Sequence, residues 1–342
     1  MKRVLLILLL TILGCGGSKP SVVMEPTARS ASALSTGGTV TTPTPATCPG
    51  GYPSGATCST ATVTCAGGLD AMNVLLVVNQ PKGTPKGTIV FLTGGGGNKL
   101  DDHATQLAIR YPGQGFTLVQ PVWQGGNWEV APEGTMIGAA CRPAVLLDWA
   151  HSYYNTGTAF CAEGWSGGSA AISYSMTFYG LSSELNYVSL LSGPPFGRID
   201  YGCGASYGGG TKQVCGVQFP LPYNGAVGYW LANHAENTAS CGTLPPLPPA
   251  DILRWGNDSV VTQDTTKTPV FNYPTTPIEF AWCPDPNQNA ASALGSFYYD
   301  AITSTKSIVC GSSGPTCTGE NILGDSTAYL TITTDMVNGC HL

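Results

Sequence analysis

Gly164-Trp165-Ser166-Gly167-Gly168 is the stretch of this chain whose residue types and spacing best suit chemistry. It matches G-x-S-x-G. An apolar run, TAFCAEG (158–164), precedes it, and SAAISYSMTFYG, with small residues at its start, follows. That order predicts a buried strand, a sharp turn and a helix, the setting that lifts a serine hydroxyl above the end of a sheet. Side chains at 164 and 168 would crowd so tight a turn, hence glycines. A hydroxyl displayed in this way attacks an acyl carbon once a base takes its proton. A second stretch needs a matching reason. TIVFLT (88–93) runs straight into Gly94-Gly95-Gly96-Gly97, with no charge until Lys99. Four consecutive glycines cost backbone entropy and contribute no packing, so bare backbone must be needed there.

The elements that position these residues follow from hydrophobic periodicity. ATVTC (61–65), NVLLVV (73–78), TIVFLT (88–93), FTLVQPV (116–122), TAFCAEG (158–164) and YVSLLSG (187–193) read as strands. Residues 100–111, 142–154 and the segment from Ser169 read as helices between them. Alternation of this kind predicts an α/β fold, a mostly parallel central sheet with helices on both faces. Residues 194–276 break the rhythm with glycine, three cysteines and the run LPPLPP, and are expected to form an insertion or lid. The rhythm returns with PIEFAWC (277–283), a helix through QNAASALGSFYYDAIT, and a strand at KSIVC (306–310).

With the serine turn and the glycine run in these places, the chain resembles the α/β-hydrolase superfamily over residues from about 60 to 342, apart from the insertion. The resemblance implies a nucleophile, an acid and a histidine in that order. Ser166 is then the nucleophile. Asp285, in Cys283-Pro284-Asp285 just after the strand PIEFAWC, matches the acid, with Asp300, Asp325 and Asp335 as rivals. His103 and His151 precede the nucleophile and His234 lies in the insertion. This leaves His341, in Asn338-Gly339-Cys340-His341, as the base. The resemblance further implies an oxyanion hole from the N–H of Gly167 and those of Gly95 and Gly96, with Thr93 where the family often has histidine. Trp123, Trp128 and Trp165 fall in loops expected at the same end of the sheet. Trp123 and Trp165 are expected to line an acyl or aromatic subsite. An active triad would also bring Cys340 near Cys283, so a Cys283–Cys340 bridge is expected, with Cys310 and Cys317 as competing partners.

Only 10% of residues are charged and net charge is −6. Ordinary domains carry about 25% charged residues, and the absence of a basic block argues against nucleic-acid binding. Residues 1–15, MKRVLLILLLTILGC, combine a basic start with a short apolar run. The run is too short to span a bilayer, and it ends in a stretch that resembles a bacterial lipobox. Lipid on Cys15 is expected, with residues 16–47, rich in Ser, Thr and Pro, as a flexible tether to a catalytic domain at 48–342. Membrane contact would be through that lipid alone, at the outer membrane or cell surface. Setting Cys15 aside, the other cysteines are even in number, which in an exported chain reads as a disulfide framework. No C-x-x-C occurs and histidine is scarce, so neither a metal nor another cofactor is expected. The expected activity is hydrolysis of small or polymeric carboxylic esters. A peptidase or lipase on the same triad and a non-catalytic surface binding protein are the alternatives.

Overall fold

The computed structural model describes residues 37–66, 68–130, 135–155, 157–204, 210–221, 241, 248–285 and 290–341. The expected signal segment, Cys15 and most of the expected tether lie outside these residues, as does His234.

Ten strands form one mixed sheet. Two short strands, β1 (Thr39–Val40) and β2 (Thr44–Pro45), pair with β3 (Thr57–Thr64). β3 runs antiparallel to β4 (Met72–Asn79), and β4 antiparallel to β6 (Phe116–Gln124). From β6 onward every pairing is parallel: β6, β5 (Gly87–Leu92), β7 (Ala159–Trp165), β8 (Tyr187–Leu191), β11 (Ile278–Trp282) and β12 (Lys306–Cys310). The strands expected from periodicity are therefore present, and the sheet is mostly parallel. β5 and β8 are buried along their whole length, as strands covered on both faces must be.

Side chains alternate across the sheet, and two apolar clusters cover its faces. Phe160 and Ala162 of β7 join a cluster with helices α3 (Cys141–Tyr154) and α4 (Gly167–Tyr179). Cys161 joins the opposite one, with α1 (Ala104–Gly113) and α8 (Ser326–Gly339). Two short helices, α2 (Met136–Ala139) and α5 (Ile199–Gly202), border the first cluster, with α6 (Pro249–Asn257) and α7 (Ala290–Ala301). Helix α8 is a feature that periodicity did not single out. Asp325 opens it, accepting the N–H groups of Thr327 and Ala328 at 2.9 and 3.0 Å.

Within the expected insertion, β9 (Gly210–Val214) and β10 (Val217–Leu221) form a hairpin. Cys215 at its turn is bonded to Cys310 at the end of β12. The hairpin is thereby tied to the carboxyl end of the sheet. The six disulfides are Cys48–Cys58, Cys65–Cys141, Cys161–Cys340, Cys203–Cys241, Cys215–Cys310 and Cys283–Cys317. Every cysteine among the described residues is paired. The expected Cys283–Cys340 bridge is not among them: Cys283 takes Cys317, on the loop after β12, because parallel pairing of β11 with β12 sets those two loops side by side.

Candidate active site

Because β6, β5, β7, β8, β11 and β12 run parallel, the loops that follow them collect at one edge of the sheet. Ser166 stands there, between β7 and α4, with φ 50° and ψ −115°. A non-glycine residue pays for this conformation, and such strain persists only where the surroundings enforce it. The enforcement is visible. The Ser166 N–H donates to the Leu191 carbonyl at 2.8 Å. A Cβ on Gly168 would overlap the Leu92 carbonyl, so α4 leaves the turn against the end of β5 only because residue 168 has no side chain.

The glycine run curls against this turn. Gly95 takes φ 58°, and a Cβ on Gly96 would overlap the Asn127 side chain. The run is braced from behind. Trp123 and Trp128 donate their backbone N–H groups to the Gly97 and Gly96 carbonyls at 2.8 and 3.0 Å. Both indoles are buried, Trp123 at 3% and Trp128 at 1% exposure, and the Trp123 ring lies against Gly97. Trp123 thus supports the loop from beneath instead of presenting a face to substrate. A Cβ on Gly167 would overlap the Gly95 carbonyl, so the two expected oxyanion segments touch. Gly167 opens α4, where the first N–H groups have no intrahelical acceptor and the helix dipole favours negative charge.

Asp285 lies just beyond β11, half-buried, and its carboxylate accepts the Gly319 N–H at 3.1 Å. Gly319 belongs to the loop after β12, which Cys283–Cys317 binds covalently to the Asp285 loop. The next residue, Glu320, sets its carboxyl beside Ser166, close enough for the serine hydroxyl to favour the carboxylate form. The Glu320 backbone is clamped on both sides of the turn. Its carbonyl takes the Trp165 indole N–H at 2.6 Å and the Ser192 hydroxyl at 2.7 Å. Trp165 is therefore a strut between the nucleophile turn and the Glu320 loop. Burial raises the Glu320 carboxyl above its ordinary range, and the Ser166 hydrogen bond offsets part of that rise.

His341 is not brought to Ser166. Its neighbour Cys340 is bonded to Cys161, early in β7, and Gly339 packs on Tyr187 at the start of β8. Ser166 follows the far end of β7. From Cys161 to Trp165 alone the strand spans about 13 Å, and His341 is exposed at the opposite edge of the sheet. The other described histidines are also engaged elsewhere. His103 Nδ1 lies 3.0 Å from Asp101, at the start of α1. His151 lies on α3, 3.7 Å from Glu184 and against Phe160. The rival acids are likewise committed: Asp325 caps α8 and binds Ser312, Asp300 pairs with Lys212, and Asp335 contacts Glu279.

Glu129 adds a feature that sequence reasoning did not reach. It is fully buried, its Oε1 would lie 3.2 Å from a Cβ on Gly167, and neither carboxyl oxygen has a hydrogen-bond partner among the described residues. Burial pushes its carboxyl up to about 8. It therefore stands neutral at pH 7, behind the helix start where the oxyanion is expected. Glu320 and Glu129 carried no local signal. The one available hint was positional: Glu320 falls in the loop after the last strand, and every such loop must end at this edge. Among the described residues no cluster of His, Cys, Asp and Glu is arranged to hold a metal ion.

No protein-family model matches the chain, and no curated protein matches it in sequence. Solved structures do resemble it. Acetyl xylan esterase 1 from a Thermoanaerobacterium species superposes with a TM-score of 0.54 at 12% identity, over 88% of this chain and 87% of that one. The acetyl xylan esterase of Paenibacillus sp. R4 gives 0.52 at 12% identity, over 88% of each chain. A bacterial heroin esterase gives 0.50 at 12% identity, over 84% and 85%. The architecture is accordingly the α/β-hydrolase fold.

Proposed function

We propose that this chain is an exported, lipid-tethered serine hydrolase that cleaves carboxylic esters through an acyl-enzyme on Ser166. The observation that carries the reading is the strained Ser166, its hydroxyl beside the half-buried Glu320 carboxyl and its turn pressed against the glycine run. Attack of Oγ on an ester carbonyl creates an oxyanion. The N–H groups of Gly167 and of Gly95 or Gly96 would receive it, and each such donor lowers the barrier by about 3–4 kcal/mol. Water then releases the acid. That the similar structures are esterases supports the class of substrate, small or polymeric esters. The hairpin tied by Cys215–Cys310 to this edge suits a cap over the site. Export is supported by the pairing of every described cysteine, which oxidising compartments favour. Lipid on Cys15 would hold the domain at the bacterial envelope.

Covalent labelling by a fluorophosphonate probe tests the hydrolase reading. The wild-type chain should label and hydrolyse p-nitrophenyl esters, and Ser166→Ala should do neither while staying folded. A second reading, a non-catalytic surface binding protein, has one observation in its favour: no described histidine reaches Ser166. An unlabelled wild type would favour it.

A further inference from the structure

We propose that Glu320 is the general base that activates Ser166, with Asp285 positioning it through the Gly319 amide, so that the site works without histidine. The inference rests on the hydrolase reading above and names the group that reading leaves open. Three independent features of the site carry it. The Glu320 carbonyl is bound by Trp165, the residue before Ser166, and by Ser192, which sets its carboxyl beside the Ser166 hydroxyl, within the reach a base needs. The residue is also fixed as a catalytic group must be. Its neighbour Gly319 is bound by Asp285. The Cys283–Cys317 disulfide closes the same loop onto the end of β11. Finally, the described histidines lie elsewhere, His341 at the opposite edge of the sheet, His103 on Asp101 and His151 against Glu184.

Burial makes Glu320 a stronger base than an ordinary glutamate, since its desolvated carboxylate gains more from taking a proton. In the first step the carboxylate takes the Oγ proton as Oγ bonds to the ester carbon and the carbonyl π pair moves onto oxygen. The intermediate collapses: the π bond re-forms, the carbon–alkoxy bond breaks, and the Glu320 carboxylic acid returns its proton to the leaving oxygen. A water then attacks the acyl-enzyme and gives its proton to Glu320. Collapse of that second intermediate releases the acid, and the same proton passes back to Oγ. No co-reactant beyond ester and water is needed.

The test uses the full chain and a fluorophosphonate probe, which reports nucleophile activation whatever the natural ester is. Glu320→Gln should slow labelling of Ser166 by about 100-fold or more while retaining the wild-type melting profile. Glu320→Ala should be slow as well and should be accelerated by added formate, a small carboxylate that can enter the vacated space. A packing role would show no such acceleration. Single replacements His103→Gln, His151→Gln, His234→Gln and His341→Gln should each label at close to the wild-type rate. Labelling of Glu320→Gln within about threefold of wild type, or loss of labelling in one histidine variant as complete as in Ser166→Ala, overturns the proposal. A labelled Glu320→Gln defeats only the role of Glu320. A wild type that no probe labels defeats the hydrolase reading and this one with it.

Discussion

Asp285 and Ser166 sit on loops that never touch in sequence, yet a single residue pair joins them: Asp285 accepts the Gly319 N–H at 3.1 Å, and Glu320 sets its carboxyl beside the Ser166 hydroxyl. Asp285 is thus linked to Ser166 through the Gly319–Glu320 backbone. Losing that contact should loosen Glu320 without emptying the substrate site. Asp285→Asn keeps the shape and weakens the acceptor. We expect kcat on p-nitrophenyl acetate to fall by about tenfold with KM unchanged. Steady-state kinetics decide it: an equal kcat with a raised KM would place Asp285 in substrate binding instead.

The glycine run makes a sharper demand. A Cβ at 96 would overlap Asn127, and the Gly96 carbonyl is held by the Trp128 N–H at 3.0 Å, so the loop cannot simply slide away. Gly96→Ala should displace the loop by enough to misalign an oxyanion donor. The expected loss is about 100-fold in kcat, with lowered thermal stability. Gly113→Ala, where nothing lies within 4 Å of the added carbon, is the matched control and should leave kcat unchanged.

The chain terminus answers to a different physics. Cys161–Cys340 closes a loop of 179 residues, which in the chain-entropy model is worth about 5 kcal/mol, less where the reduced chain keeps structure. Both cysteines lie in the core cluster beneath α1 and α8. Cys340→Ser should therefore lower the melting temperature strongly. Its fluorophosphonate labelling rate at 25 °C, measured on the folded fraction, should match wild type, because the bridge sits at the edge of the sheet opposite Ser166.

Which parts were legible follows from the range of each interaction. The strands, the nucleophile turn and the glycine run could be read because their signals are local: alternation, β-branched runs, and glycines where a turn or a close approach forbids side chains. Asp285 could be placed because its loop directly follows a strand of clear character. Glu320 could not, since the contact that gives it meaning lies 155 residues from its sequence partner Trp165 and is created by strand order. His341 looked well placed in chain order alone. Helix α8, which carries it back to the start of β7, has few strong periodic markers, and its cap Asp325 read equally well as a rival acid. The cysteine count gave the framework, but pairing depends on which strands become neighbours.

Three buried glutamates are held above the ordinary carboxylate range by desolvation: Glu129 at about 8, Glu279 at about 8 and Glu163 at about 7. Ser189 donates to Glu279 at 2.8 Å and Tyr111 donates to Glu163, whereas Glu129 has no partner among the described residues. In the unfolded chain all three titrate near 4.3. Between that value and about 8 the folded state therefore binds more protons than the unfolded state. By linkage the stability they contribute is complete below about pH 4 and is lost as pH rises through the folded-state values. Asp325 has the opposite sign. Hydrogen bonds from Ser312 and the start of α8 lower it to about 2, so its contribution is lost only below about pH 4. The melting temperature should accordingly be higher near pH 5 than near pH 8. Glu129→Gln, which keeps the volume and removes the ionisation, should flatten that slope and stabilise the fold at pH 8 by at least about 1 kcal/mol. Denaturant titrations at pH 5 and pH 8 measure both. Equal slopes in wild type and Glu129→Gln would mean that the Glu129 carboxyl ionises in water instead of beneath Gly167.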